Sequence, residues 1–249
     1  MHTITTSDRK VKLTGGACCP VVELRQYALH PGKRDTLIEL FEREFIETQE
    51  AAGIQLIGQF RDLDDPDSFV WLRGFADMPA RKRALQAFYE GPTWKKHREA
   101  ANATMIDSGN VLMLRPARST SGFSLEREAG RLSSHGLLSA TIYYVDGATD
   151  AFADFFEQSL EPACREAGSD CLAYFVSEHS PNNYPALPVR EGEQVFAWFA
   201  SFESELAHAR YEEALQSRHP EVMRALLQRL GGRPDRLRLA PTARSRLQV

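Results

Sequence analysis

No stretch of this chain approaches the ~20 consecutive apolar residues that cross a bilayer, so a membrane span is not expected. Cysteine is scarce. Cys18, Cys19, Cys164 and Cys171 have neither the C-x-x-C pairing of a zinc site nor the density of a disulfide scaffold. An excess of one charge is also lacking: 30 basic against 34 acidic residues leave a formal net charge of −4. The two signs are interspersed, so the chain offers no basic stripe to phosphate and nucleic acid is not an expected partner. Glycine-rich phosphate loops, Ser-His-Asp arrangements and recognisably spaced catalytic carboxylates are missing, as is any metal-ligand triad, and no cofactor or metal is expected. The first 16 residues are polar without the apolar core of a signal peptide, which reads as a loose leader on a cytoplasmic protein.

What is present is a pattern written twice. Leu37, Leu40, Phe41 and Phe45 before Gly53 return as Phe152, Phe155, Phe156 and Leu160 before Gly168, each displaced by 115 positions. Leu56, Ile57 and Phe60 fall on Cys171, Leu172 and Phe175 at the same displacement, whereas Leu112, Leu114 and Pro116 fall on Leu237, Leu239 and Pro241 at 125. An insertion therefore lies between, most simply at the Pro- and Asn-rich residues 180–191. That segment is long for a hairpin and is a candidate lid over a barrel mouth, the alternative being ordinary loop slack.

Each half reads as strand, helix, strand, strand, helix, strand. Residues 21–29 alternate as a strand, and His30-Pro31-Gly32 breaks it. Residues 33–52 carry an apolar stripe at helical spacing that ends at Gly53. Strands follow at 54–61 and 68–75 around an Asp-rich turn, then a helical region at 79–105 interrupted at Gly91-Pro92, then a strand at 111–115. The expected class is α+β: two tandem ferredoxin-like β-α-β-β-α-β modules packed sheet to sheet as a pseudo-symmetric α/β-barrel, because each sheet has one face left to bury. The expected divisions are a leader at 1–20, modules at 21–117 and 137–242, and a linker at 118–136. With two modules in one chain a monomer would satisfy the barrel, and a homodimer through exposed helix faces remains open.

Val22-Glu23-Leu24-Arg25-Gln26-Tyr27, Pro31-Gly32, Gly58-Gln59-Phe60, Trp71-Leu72-Arg73-Gly74-Phe75, Phe88-Tyr89, Pro92-Thr93-Trp94 and Asn102 together resemble the NIPSNAP family. The resemblance is dense over 21–116, while the second half matches in apolar pattern and lacks the Trp-Leu-Arg-Gly-Phe string. It implies the dimeric α/β-barrel fold and no defined reaction. Related barrels include cofactor-free monooxygenases and haem-binding proteins, which keeps an enzyme in view by analogy.

Candidate site residues crowd the first half. Glu23, Arg25 and Tyr27 share one strand face, as do Gln59 with Arg61 and Trp71 with Arg73. If these faces converge, Arg25 and Arg73 would anchor a carboxylate or carbonyl group through guanidinium donors, with Tyr27, Gln59, Trp71 and Trp94 as walls and His97 moving a proton. The competing reading is that Glu23 neutralises one arginine and the rest is structural. A lone histidine is weak evidence: the favoured reading of His97 is a plain hydrogen-bonded histidine, with general base and, last, haem ligand as the alternatives. At a displacement of 115, Ala140 and Ile142 stand for Arg25 and Tyr27, so any site is expected to be single and N-terminal. The functional expectation is a small-molecule-binding protein, with a cofactor-independent enzyme as its catalytic version; the alternative is a non-catalytic interaction module. A filled barrel interior would favour the latter, and an open pocket lined by these residues the former.

Overall fold

The structure is a computed structural model that describes residues 18–124 and 136–248, so most of the expected leader and linker lie outside the described residues. The first module runs β1 (Val21–Leu29), α1 (Arg34–Leu40), α2 (Ile46–Ala51), β2 (Gln55–Asp62), β3 (Ser68–Phe75), α3 (Met78–Tyr89), α4 (Pro92–Asn102) and β4 (Met105–Pro116). The second runs β5 (Leu137–Tyr144), α5 (Thr149–Phe155), α6 (Glu161–Ala167), β6 (Asp170–Ser177), β7 (Val195–Phe202), α7 (Glu205–Arg218), α8 (Pro220–Leu227) and β8 (Asp235–Pro241). The eight strands close into one barrel in the order β1-β3-β2-β8-β5-β7-β6-β4. Each module contributes the ferredoxin-like order 4-1-3-2. Antiparallel pairings Phe60↔Pro241 to Asp62↔Leu239, and Leu114↔Ser177 to Pro116↔Phe175, join the two sheets edge to edge.

The duplication extends to the irregularities. Each first helix is broken by one π-helical turn, Phe41–Phe45 and Phe156–Leu160, and β2 and β6 each carry a bulge, between Leu56 and Gly58 and between Cys171 and Ala173. All four features obey the displacement of 115. At β3 and β7 it becomes 127: Trp71 answers to Trp198, and the helix caps Asp77 and Ser204 each accept from the backbone N–H three residues on. Residues 178–194, between β6 and β7, hold the extra length.

One register expectation is overturned. Val21 pairs with Phe75 and Leu137 with Phe202, so β1 maps onto β5 at 116, not 115. The turn between strand and helix is one residue shorter in the second module, and a single-residue slip exchanges the two faces of a strand. Ser139, Thr141 and Tyr143, not Ala140 and Ile142, therefore stand for Glu23, Arg25 and Tyr27. The last strand of the first module also begins at Met105 rather than near 111, because pairing with β1 extends through the polar stretch Asp107-Ser108-Gly109-Asn110, where the register shifts.

The barrel interior is filled by Val22, Leu24, Phe60, Leu72, Leu114, Ala140, Phe175, Phe199 and Leu239, with Cys19, Phe123 and Leu247 packed among them. Cys19 thus belongs to the core rather than to a segment preceding the fold. A side chain on Gly74 would collide with its Sγ, which is why glycine sits there. Two further apolar layers lie outside the barrel, one beneath the helices of each module. The candidate residues lie in the first of these layers.

Candidate functional site

Alternation along β1 points Glu23, Arg25 and Tyr27 out of the barrel and under the helices. Across β1 and β3, Glu23 pairs with Arg73 and Arg25 with Trp71, so the two strands alone bring one carboxylate and two guanidiniums together. Arg81 completes the group from α3. It lies on the buried stripe Arg81, Ala84, Leu85 and Phe88, which the Asp77 cap sets over the sheet.

Glu23 is the hub. Its Oε2 accepts from Arg25 Nη1 at 2.6 Å and from Arg73 Nε at 2.8 Å, and its Oε1 accepts from Arg81 Nε at 2.6 Å. All four side chains are inaccessible to solvent to within 1%. Arg25 Nε donates to the Tyr27 hydroxyl at 3.0 Å and Arg73 Nη1 to the Tyr89 hydroxyl at 3.3 Å, while Trp71 lies under both guanidiniums at 5.4 and 5.0 Å. Burial pushes the Glu23 carboxyl up, but Arg73, Arg25 and Arg81 together outweigh it and hold it far below the usual carboxylate range. Burial likewise pushes the Tyr27 phenol up.

Three guanidiniums against one carboxylate leave two positive charges uncompensated within the group. Two donors are also left over. Arg81 Nη2 has no acceptor, and Arg73 Nη2 sits 2.8 Å from Glu23 Oε2 without the geometry of a hydrogen bond. Neutral oxygens occupy the remaining approach: Arg81 Nη1 donates to Asn182 Oδ1 at 3.1 Å and to Asn183 Oδ1 at 2.7 Å. Both asparagines come from the connection 178–194 of the second module. Asn183 is fixed by donating to the Met78 carbonyl at 2.5 Å, and Tyr184 stacks on Tyr89 at 6.2 Å. The inserted segment thus lies over the arginine group on the outside of the barrel at Asn182 to Tyr184, while its Arg190 donates to Asn110 Oδ1 at 3.2 Å and to the Tyr144 hydroxyl at 3.1 Å at one end of the barrel.

Beside the group, Tyr27, Leu37, Phe41, Phe45, Gln49, Trp71, Phe88, Tyr89, Trp94, Ala101 and Met105 enclose a cavity of about 30 Å3. That is room for a water or two. Of the candidates read from sequence, Arg25, Tyr27, Trp71 and Arg73 come together and Trp94 walls the cavity. Gln59 is buried on the outer face of β2 opposite Trp71, but it does not line the cavity. His97 departs from expectation: its Nε2 faces Glu44 Oε2 at 3.4 Å and its ring packs edge-on to Phe45, away from the arginines. The π-helical turn carries both partners to that position. Arg81, Tyr89, Asn182 and Asn183 escaped the sequence reading. The first two sit at helical spacing on the buried face of α3, a signal that was there; the asparagines are reachable only through the closed barrel. Among the described residues no cluster of three His, Cys, Asp or Glu could hold a metal ion, and no helix is long and apolar enough to cross a membrane.

Residues 22–120 match the NIPSNAP family model. No curated protein matches the chain. Among solved structures, the chain is similar to a protein provisionally named a monooxygenase from Fusobacterium nucleatum (11% identity, 90% of this chain and 92% of that one, TM-score 0.58). It is similar also to an anthrone oxidase-like protein (13% identity, 92% and 95%, TM-score 0.54). An uncharacterized NIPSNAP domain protein from Burkholderia xenovorans matches 39% of this chain over 93% of its own length, at 18% identity and a TM-score of 0.36. The first two likenesses share the whole two-module fold.

Proposed function

We propose that the first module binds a small carboxylate-bearing aromatic molecule against Arg73 and Arg81, with residues 178–194 as its lid. The observation that carries this reading is the buried, net-positive group in which Arg81 Nη2 has no acceptor and Arg73 Nη2 makes no hydrogen bond beyond its ion pair with Glu23, since an uncompensated buried charge is costly unless something pairs with it. A carboxylate offers the forked acceptor that a guanidinium fits, and Trp71, Tyr89 and Trp94 supply aromatic walls. A cavity of about 30 Å3 holds no such molecule. Entry therefore requires Asn182, Asn183 and Tyr184 to leave Arg81 and Tyr89, and binding and lid opening are one equilibrium. The titratable groups of the site are arginines, one low-pKa carboxylate and tyrosines, a set suited to holding an anion rather than moving a proton.

Benzoate and phthalate titrated into the full chain by calorimetry test this. Asn183 competes with the ligand for Arg81, so Asn183→Ala is expected to tighten binding by roughly fivefold, the worth of about one net hydrogen bond of ~1 kcal/mol. Arg81→Gln is expected to weaken it by tenfold or more. If neither acid binds the parent or the Asn183→Ala variant, the arginine group is structural. The filled barrel interior favours the second reading in that case, a non-catalytic interaction module.

A further inference from the structure

We infer that the second module carries a binding site of its own, for an uncharged single-ring aromatic molecule bearing a hydroxyl group. The corrected register makes it visible. Ser139 and Thr141 stand where the first module has Glu23 and Arg25, Ala200 where it has Arg73, and His208 where it has Arg81, while Trp198 keeps the place of Trp71. Every member of the charged group is replaced by a smaller or neutral residue. The space this leaves is a cavity of about 200 Å3 between the sheet and α7 and α8, floored by Ser139, Thr141 and Trp198 and roofed by His208, Leu215 and Met223.

Size and chemistry select the ligand. A closed apolar cavity of about 150 Å3 takes benzene; this one, about 200 Å3, open at its rim and lined by polar as well as apolar side chains, has room for a ring with one or two small polar substituents. The buried Trp198 indole N–H lies toward the Tyr143 hydroxyl without completing a well-formed hydrogen bond, and a ligand hydroxyl oxygen would satisfy it. The Ser139 and Thr141 hydroxyls face the same space and can act as donors or acceptors. Burial lowers the His208 pKa against the opposing pull of Glu212 and Asp64, keeping a neutral imidazole in the roof near pH 7. Two cations line it: Arg236, opposite Thr141 on β8 with its side chain exposed at the rim, and Arg238, which is bound to Asp64 and Glu205. The one guanidinium free to meet a carboxylate here is thus at a solvated rim shared with Asp64 and Glu212, in contrast to the buried arginines of the first module.

The test uses the full chain with p-cresol, toluene and 4-methylbenzoate as probes, followed by ligand-observed NMR and calorimetry. p-Cresol is expected to bind one to one, with toluene weaker by about tenfold for want of the hydrogen bonds. Ser139→Leu, which fills the floor, should abolish p-cresol binding. Should that variant fold poorly, the near-isosteric Thr141→Val should still fold and weaken binding by roughly fivefold. Arg81→Gln, in the other module, should leave p-cresol binding unchanged, which separates failure here from failure of the carboxylate site. Absence of p-cresol binding at millimolar concentration, equal affinity for toluene, stronger binding of 4-methylbenzoate at this cavity, or indifference to both second-module variants would overturn the inference.

Discussion

Glu23→Gln is expected to destabilise the protein by about 3–5 kcal/mol, the range for removing one partner of a buried ion pair, because it leaves three solvent-free guanidiniums without a counter-charge. Urea denaturation of the parent and the variant measures it. The substitution keeps size and one acceptor, so the loss reports charge rather than packing. A loss below about 1 kcal/mol would mean that solvent or a bound anion already compensates the arginines. The same carboxyl shapes the acid response. Its folded-state pKa lies below the unfolded value of about 4.3, so its contribution is complete above about pH 5 and is lost as pH falls toward the folded value. The parent should therefore lose stability steadily on acidification below pH 5, and the variant should show a shallower acid limb. An unchanged slope would mean that other carboxylates govern acid unfolding.

The arginine group is an expensive way to be stable, and that bears on why it is there. Replacing a whole buried ionic group by apolar residues is often neutral or stabilising, whereas removing one member is not. In the second module the same positions are held by Ser139, Thr141, Ala200 and His208, and the fold closes equally well around Trp198. The fold therefore does not require the charges. Charges that packing alone does not demand are what the proposed anion-binding role would explain.

The duplicated α+β architecture could be read from apolar spacing alone, since both helical stripes and the second strands keep one displacement through two π-helical turns and two bulges. What could not be read was a slip inside a turn. Nothing in the residues between Leu29 and Leu37, set beside those between Val145 and Phe152, reveals that one connection is a residue shorter; only cross-strand pairing does. That slip hid Ser139, Thr141 and Tyr143 and made the second module look featureless. The strand arginines were legible because charge in mid-strand is conspicuous. Arg81 was less so, since arginine on a helix normally reads as solvent-facing, and the asparagines that cover it belong to the other module. His97 misled because helical spacing to Trp94 fixes a shared face but not what that face meets, which is the Glu44 carboxylate.

Residues 18–124 expressed alone are expected not to persist as a folded monomer. Their half of the barrel interior is Val22, Leu24, Ile57, Phe60, Val70, Leu72, Leu112 and Leu114, besides Cys19 and Phe123. Exposing side chains of this kind costs about 1.5–3 kcal/mol each, and several together match the whole stability of a typical domain, about 5–15 kcal/mol. Two edges are also left open, since β2 and β4 lose β8 and β6, and unpaired edges recruit strands. The remedy is built into the duplication: β8 is the counterpart of β4, and β6 of β2, so a second copy of the first module presents the very strands that are missing. Association of two copies would regenerate both seams and the filled interior. Sedimentation velocity should therefore show a dimer, with a melting temperature that rises with protein concentration. A monodisperse, cooperatively folded monomer would mean that the interior contributes little, and that the helical layer holding Glu23 and its arginines is the true core of the module.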